Sequence, residues 1–225
     1  MSMLLADFAW TDAAEHSSGV LAVPVGATEQ HGPHLPLSTD TEIAVALAGA
    51  LSRERDNVIV APAVAFGSSG EHAGFAGTLS IGPDATELLL VELVRSASTT
   101  FPRTLLVCAH GGNRTCVRRA EARLRHERHD MRAFFPSWSG DAHAGRAETS
   151  LMLALAPERV RLEHAAAGEI APLTEILPRL ISEGVRAVSE NGVLGDPAGA
   201  SAEEGEKLMR AATAALVAFL DGWEA

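Results

Sequence analysis

Glu29, His31, His34 and Asp40 fall within twelve positions of one connection, VPVGATEQHGPHLPLSTDTEIA at residues 23–44. Carboxylates mixed with imidazoles are the ligand set that suits Zn, Mn or Fe. Gly32, Pro33 and Pro36 oppose a helix there. In an extended backbone, residues two apart point to the same side, so Glu29 and His31 can face one site. Asp40 opens a helical pattern, where it serves equally well as a cap or as a ligand.

Three other segments carry similar groups. His110 follows the apolar run TLLVCA and precedes Gly111, Gly112 and Asn113. Glycines there let backbone approach a ligand, and their N–H groups can form a small anion nest; a hydrogen-bonded turn is an equal alternative. Asp141, His143 and Glu148 sit where a loop feeds a helix, and Glu148 gains from the helix dipole with or without a metal. Glu71 and His72 lie in a Gly-rich loop, lining a pocket or simply solvated. His16, His126, His129 and His164 sit among charges and read as surface residues. The nucleophile elbow, the phosphate loop, the dinucleotide fingerprint and the H-E-x-x-H helix are all missing. Ser38 beside the His/Asp crowd has neither an elbow nor a base in register. The residues by themselves thus point to one or two divalent cations held by carboxylates and imidazoles.

Such groups need a frame. Apolar runs at 19–25, 57–64, 104–108 and 131–135 read as buried strands. Helical spacing covers 40–51, 84–98, 114–129, 148–155 and 203–220, with Thr39 or Asp40 and then Asp84 as candidate caps. Strand–helix alternation predicts a parallel sheet with helices on both faces, and a ligand crevice beyond the carboxyl ends of the strands. Every polar cluster above follows a predicted strand, so all can converge there. The Gly-rich loops at 66–80 and 191–200 can shape the pocket.

The chain has 225 residues, enough for one α/β domain or at most two small ones. Its formal net charge of −11 argues against nucleic acid, which demands a basic face, and against an anionic membrane surface. No apolar run is long enough to span a bilayer, and the N-terminal residues make a poor signal peptide. Cys108 and Cys116 fit neither a redox pair nor a zinc knuckle, so two reduced thiols in the cytoplasm are expected.

GATEQHGPHLPLSTD at 26–40, AHGGN at 109–113 and DAHAGRAETSLMLAL at 141–155, in that order, resemble the creatininase (creatinine amidohydrolase) family over about residues 19–205. The resemblance implies a three-layer α/β/α fold with a mostly parallel sheet, residues 1–225 forming one metallohydrolase domain. It also implies homo-oligomers built from dimers, often hexamers, and two divalent ions (Zn, Fe or Mn) bridged by an Asp. Carried over, Asp40 is the bridge, Glu29 and His110 hold one ion, and His31 holds the other. Creatinine-hydrolysing members have a metal-binding Glu where this chain has Gly112, which makes Glu148 the candidate replacement and a catalytic candidate. His143 matches a substrate-contacting proton carrier. Glu71, His72, Gly111, Gly112 and Asp141 remain as substrate-side candidates.

Within the family, GSSGEHAGFAGTLSIG and RAVSENGVLGDPAGASAEEG look most like the mycofactocin-precursor peptidase branch. That implies hydrolytic removal of a modified C-terminal Val-Tyr unit from a ribosomally made peptide. Two alternatives stand beside it. One is an amidohydrolase for creatinine, disfavoured by Gly112, or for a formamidopyrimidine nucleotide, disfavoured by the acidic chain. The other is a non-catalytic, metal-stabilised scaffold in a biosynthetic complex.

Overall fold

The structure is a computed structural model describing residues 2–138 and 140–224. Five parallel strands form one sheet: β1 (Met3–Leu4), β2 (Val20–Val25), β3 (Val58–Val60), β4 (Arg103–Cys108) and β5 (Asp130–Phe134), in the order β1-β3-β2-β4-β5. All six residues of β2 are buried. A central parallel strand is covered on both faces, which is why VLAVPV is apolar throughout instead of alternating.

Successive side chains leave a strand on opposite faces, and the two cores show it. Val20, Ala22, Leu105 and Val107 pack with Ile43, Leu47 and Leu51 of α2 (Thr39–Glu54), Leu151 and Met152 of α5 (Arg146–Leu155), and Leu216 and Leu220 of α8 (Ala202–Glu224). Leu21, Val23, Val25, Leu106 and Cys108 pack with Leu90 and Val94 of α3 (Pro83–Ala97) and Val117, Ala120 and Leu124 of α4 (Arg114–His126). The result is the expected three-layer α/β/α arrangement. Both cysteines are free and buried.

Three boundaries differ from expectation. β3 stops at Val60 because Pro62 lacks the N–H a ladder needs, and Val64 rejoins only as a bridge to Val25. α4 ends at His126, where Arg128 turns left-handed (φ 68°) to enter β5. Asp84 caps nothing: α3 starts after Gly82, and Asp84 pairs with Arg119. Sequence spacing did not reveal β1, α1 (Trp10–Glu15), α6 (Leu173–Glu183) or α7 (Val185–Val188). α6 and α7 belong to a small third cluster of Ile176, Leu180, Val185 and Leu194, packed with Phe75.

The strand ends set up the site. A Cβ on Gly26, just after β2, would lie 2.5 Å from the Thr41 nitrogen. The missing side chain lets the head of α2 press onto the end of the sheet. Asn113, just after β4, accepts from Ser68 N–H at 2.8 Å and donates to Gly26 O at 2.9 Å. One buried amide thereby ties together the connections that follow β2, β3 and β4.

Candidate metal centre

The connection after β2 runs extended, with Glu29 N–H on Leu37 O and a His31–Leu35 bridge closed by Gly32 at φ 66°. Glu29 and His31 accordingly share a side, and both are completely buried. Asp40 lies in the first turn of α2, yet Ser38 holds the cap position and no side chain caps the helix. The Asp40 carboxylate does not cap the helix and faces the site. Its Oδ1 is 3.3 Å from His31 Nε2, and its Oδ2 is 3.1 Å from His110 Nδ1. Ser38 is occupied elsewhere, donating to Glu42 at 2.5 Å.

Glu29 Oε2 is 3.3 Å from His110 Nε2, and Glu148 Oε2 is 3.9 Å from His31 Nε2. Two donor triads therefore meet at Asp40: Glu29–Asp40–His110 and His31–Asp40–Glu148. Within each, the donor atoms lie within 4.8 Å of one another. Glu29, His31 and His143 form a further group on the same criterion. Glu148 reaches this position from α5 because Ala144 adopts a left-handed conformation (φ 53°) and donates its N–H to Glu148 Oε2 at 2.6 Å. A non-Gly residue in that region stores strain, a common feature of functional sites.

The donors fit divalent cations. Both Glu29 oxygens and Asp40 Oδ2 are buried without a hydrogen-bond partner, an expensive condition for carboxylate oxygens in a protein interior. Three imidazoles of the cluster each meet a backbone carbonyl with one nitrogen: His31 Nδ1 on Glu29 O at 3.1 Å, His110 Nε2 on Ser68 O at 2.9 Å, and His143 Nε2 on Gln30 O at 2.8 Å. That is the outer-sphere bond that orients a ligating histidine and leaves its other nitrogen free.

Electrostatics agree. Burial pulls the His31 imidazole down, but Asp40, Glu148 and Glu29 outweigh it and carry its pKa up to about 10. His110 behaves alike: burial opposes the proton, while Glu29 and Asp40 hold it well above the ordinary range. Burial disfavours the Asp40 carboxylate, yet His31 and His110 keep its pKa below the usual value. Burial, reinforced by Asp40 and Glu29, lifts Glu148 to about 7. With no cation, protons neutralise this cluster. By contrast, burial, reinforced by the positive charge on nearby His31, keeps His143 neutral, well below its ordinary pKa.

Glu29, Asp40, His110, His143 and Glu148 floor a cavity of about 940 Å³, also lined by Glu71, His72, Gly111 and Gly112. Glu71 Oε1 is 3.8 Å from His110 Nε2, and burial raises the Glu71 pKa. His72 is buried, with Nε2 3.3 Å from Glu29 Oε1. Asp141 is a correction: it does not line the cavity, and its carboxylate accepts the Arg146 N–H at 2.7 Å, serving the first turn of α5. His126 and His164 are exposed, as read; His16 and His129 are half-buried but remote from the cluster.

Gln30 escaped the sequence reading. Alternation sends it away from Glu29 and His31, onto what looks like a structural face. There its buried amide donates to His72 Nδ1 at 2.9 Å and to Gly192 O at 3.0 Å, while its oxygen accepts the Gly32 N–H. His72 must then carry its proton on Nε2, facing Glu29. The 191–195 segment also braces His143, through the His143–Leu194 bridge.

The sequence model described as Creatininase, creatinine amidohydrolase, matches residues 6–220. The mycofactocin precursor peptide peptidase of Mycolicibacterium smegmatis is 50% identical over 198 residues, spanning 84% of this chain and 79% of that protein. The Mycobacterium tuberculosis peptidase of the same name is 46% identical over 206 residues, spanning 87% and 82%. A solved creatininase in a manganese form shares the fold, with a TM-score of 0.83 at 22% identity and 98% of each chain covered.

Proposed function

The chain belongs to the creatininase family, and from that premise we propose that residues 1–225 act as one metal-dependent peptidase domain. Its substrate is the mycofactocin precursor peptide, from which it removes the modified C-terminal Val-Tyr unit by amide hydrolysis. The peptidase relatives at 46–50% identity support the substrate. The observation that carries the chemistry is the pair of donor triads sharing Asp40, with buried, unpartnered carboxylate oxygens.

In this reading Glu29, Asp40 and His110 hold one divalent ion, and His31, Asp40 and Glu148 hold a second, each being Zn, Fe or Mn. Such ions supply Lewis acidity and bring the pKa of water toward neutrality. The remaining steps belong to side chains and backbone. His143 donates through Nε2 to Gln30 O, so its Nδ1 is the free nitrogen, 3.9 Å from Glu29 Oε1. Being neutral, it first takes a proton from the attacking water and then gives it to the departing amine. The Gly111 and Gly112 N–H groups at the cavity edge receive the developing oxyanion. The buried amide of Gln30 and the ring of His72 hold Glu29 and His143 in register, which limits reorganisation during the reaction.

The proposal extends to a cytoplasmic homo-oligomer built from dimers. No helix among the described residues is long and apolar enough to cross a membrane. The test is mass spectrometry of a reaction between the modified precursor peptide and protein reconstituted with Zn, Fe or Mn in turn. Release of the Val-Tyr-derived fragment is expected with at least one metal and none after chelation. An intact peptide under every metal would end this reading.

A further inference from the structure

The cavity over the donor cluster has an apolar wall that metal chemistry does not require. Leu173, Leu177 and Ile181 recur every four residues along α6, and all three line the cavity. They are 46%, 44% and 77% exposed. The helix is already anchored without them, through Ile176 and Leu180 in the small cluster with Val185 and Leu194. Single exposed apolar residues are ordinary. Three at helical spacing, converging on the cavity that holds the donor triads, form a directed patch.

Size points the same way. Pockets of 300–1,000 Å³ enclose whole drug-sized molecules, and a cavity of about 940 Å³ is far roomier than attack on one small cyclic amide demands. The lining is also of two chemical kinds: the carboxylates and imidazole of Glu29, Asp40, His110 and Glu148, and the aliphatic side chains of Leu173, Leu177 and Ile181. A substrate matching both kinds of lining presents an amide to the donor groups and bulky aliphatic or aromatic groups to the α6 residues.

We propose that Leu173, Leu177 and Ile181 form the subsite for the apolar side chains next to the scissile amide, making α6 the element that selects a peptide over a small amide. This rests on the peptidase reading above, whose released unit derives from Val and Tyr. The experiment compares wild type with Leu177→Ser and Ile181→Ser, singly and together. Leu88→Ser serves as the control, an exposed leucine of α3 that does not line the cavity. Cleavage of the modified precursor peptide by metal-loaded protein is followed at steady state, with metal analysis and light scattering on every variant.

Each α6 substitution should raise KM roughly tenfold, as loss of one partly buried aliphatic contact implies. Turnover number, bound metal and particle mass should stay at wild-type values, and Leu88→Ser should match wild type. Wild-type KM in the α6 double variant, alongside efficient cleavage by the parent protein, would overturn the subsite. A KM change accompanied by a drop in particle mass would also overturn it, by showing the stripe to be a contact between copies of the chain. A parent protein that hydrolyses a small amide but leaves the peptide intact would instead refute the peptidase reading itself.

Discussion

The carboxylate of Glu71 stands where a side chain on Gly112 would have to go. A Cβ built on Gly112 overlaps Glu71 Oε1 and lies 2.5 Å from both His110 Nε2 and Ser68 O. The space over Gly112 is thus filled by a carboxylate from the 66–80 loop. Gly112→Ala must push aside Glu71, His110 or both, at a cost of about 1–3 kcal/mol in stability. Bound metal and turnover should each fall, turnover by at least about tenfold. Metal analysis with kinetics decides it, since wild-type values in both would mean that the cradle yields without consequence.

Asp40 faces two imidazoles with its two oxygens, 3.3 Å from His31 and 3.1 Å from His110. Asp40→Asn keeps the shape but replaces one acceptor oxygen with a donor nitrogen. Turnover should drop to background, and the metal content of purified protein should fall. Full metal with normal activity would remove Asp40 from the shared position.

Glu148 touches only the His31 side of the cluster, by way of a 3.9 Å approach. Glu148→Gln should therefore lower metal stoichiometry from two toward one, leaving the ion at Glu29, Asp40 and His110 in place. Elemental analysis during dialysis against a graded chelator series reads this out. Unchanged stoichiometry would assign the second ion to other ligands.

His143 is neutral, and its Nδ1 is free. His143→Ala should keep its metal and lose about 10²–10⁴-fold in turnover, the range of a missing general acid–base. Concurrent metal loss would make it a ligand, as the Glu29–His31–His143 group permits.

Protons and cations compete for the cluster. In metal-free protein the folded-state pKa of His31 is about 10, and that of His110 is also well above the ordinary value near 6.5. Their ion pairing stabilises metal-free protein fully below the unfolded-state value and is lost as pH rises through the folded-state values. Metal uptake requires those protons to leave, so affinity must rise with pH. Chelated protein taking up metal at pH 7 should release about two to three protons, from His31, His110 and the half-protonated Glu148, measurable by calorimetry in buffers of different ionisation enthalpy. Uptake with no proton release would contradict the assignment of His31 and His110 as ligands.

Much of this was legible along the chain because local geometry sets it. The strands of the two-sided sheet showed as unbroken apolar runs. The two-residue offset of Glu29 and His31 placed both on one side, and each polar cluster followed a strand. Where short-range rules allowed two outcomes, sequence could not choose. Asp40 could cap a helix or face the site. Asp141, in a polar loop beside His143, resembled a site residue yet serves the first turn of α5. Gln30 resembled a structural residue yet holds His72.

The amino-acid order by itself determined the parallel α/β frame, the direction of each side chain from its own backbone and the chemical kind of the donors, since these depend on periods of two and 3.6 residues. Tertiary structure alone decided which donors come together, that Glu148 comes within reach, that Glu71 fills the space over Gly112, and that α6 presents an apolar stripe to the cavity. Those outcomes depend on the strand order β1-β3-β2-β4-β5 and on helices packed against its ends. Side chains from residues 29, 40, 71, 110 and 148 meet because the sheet brings distant connections to one rim, a proximity that no spacing within a single segment encodes.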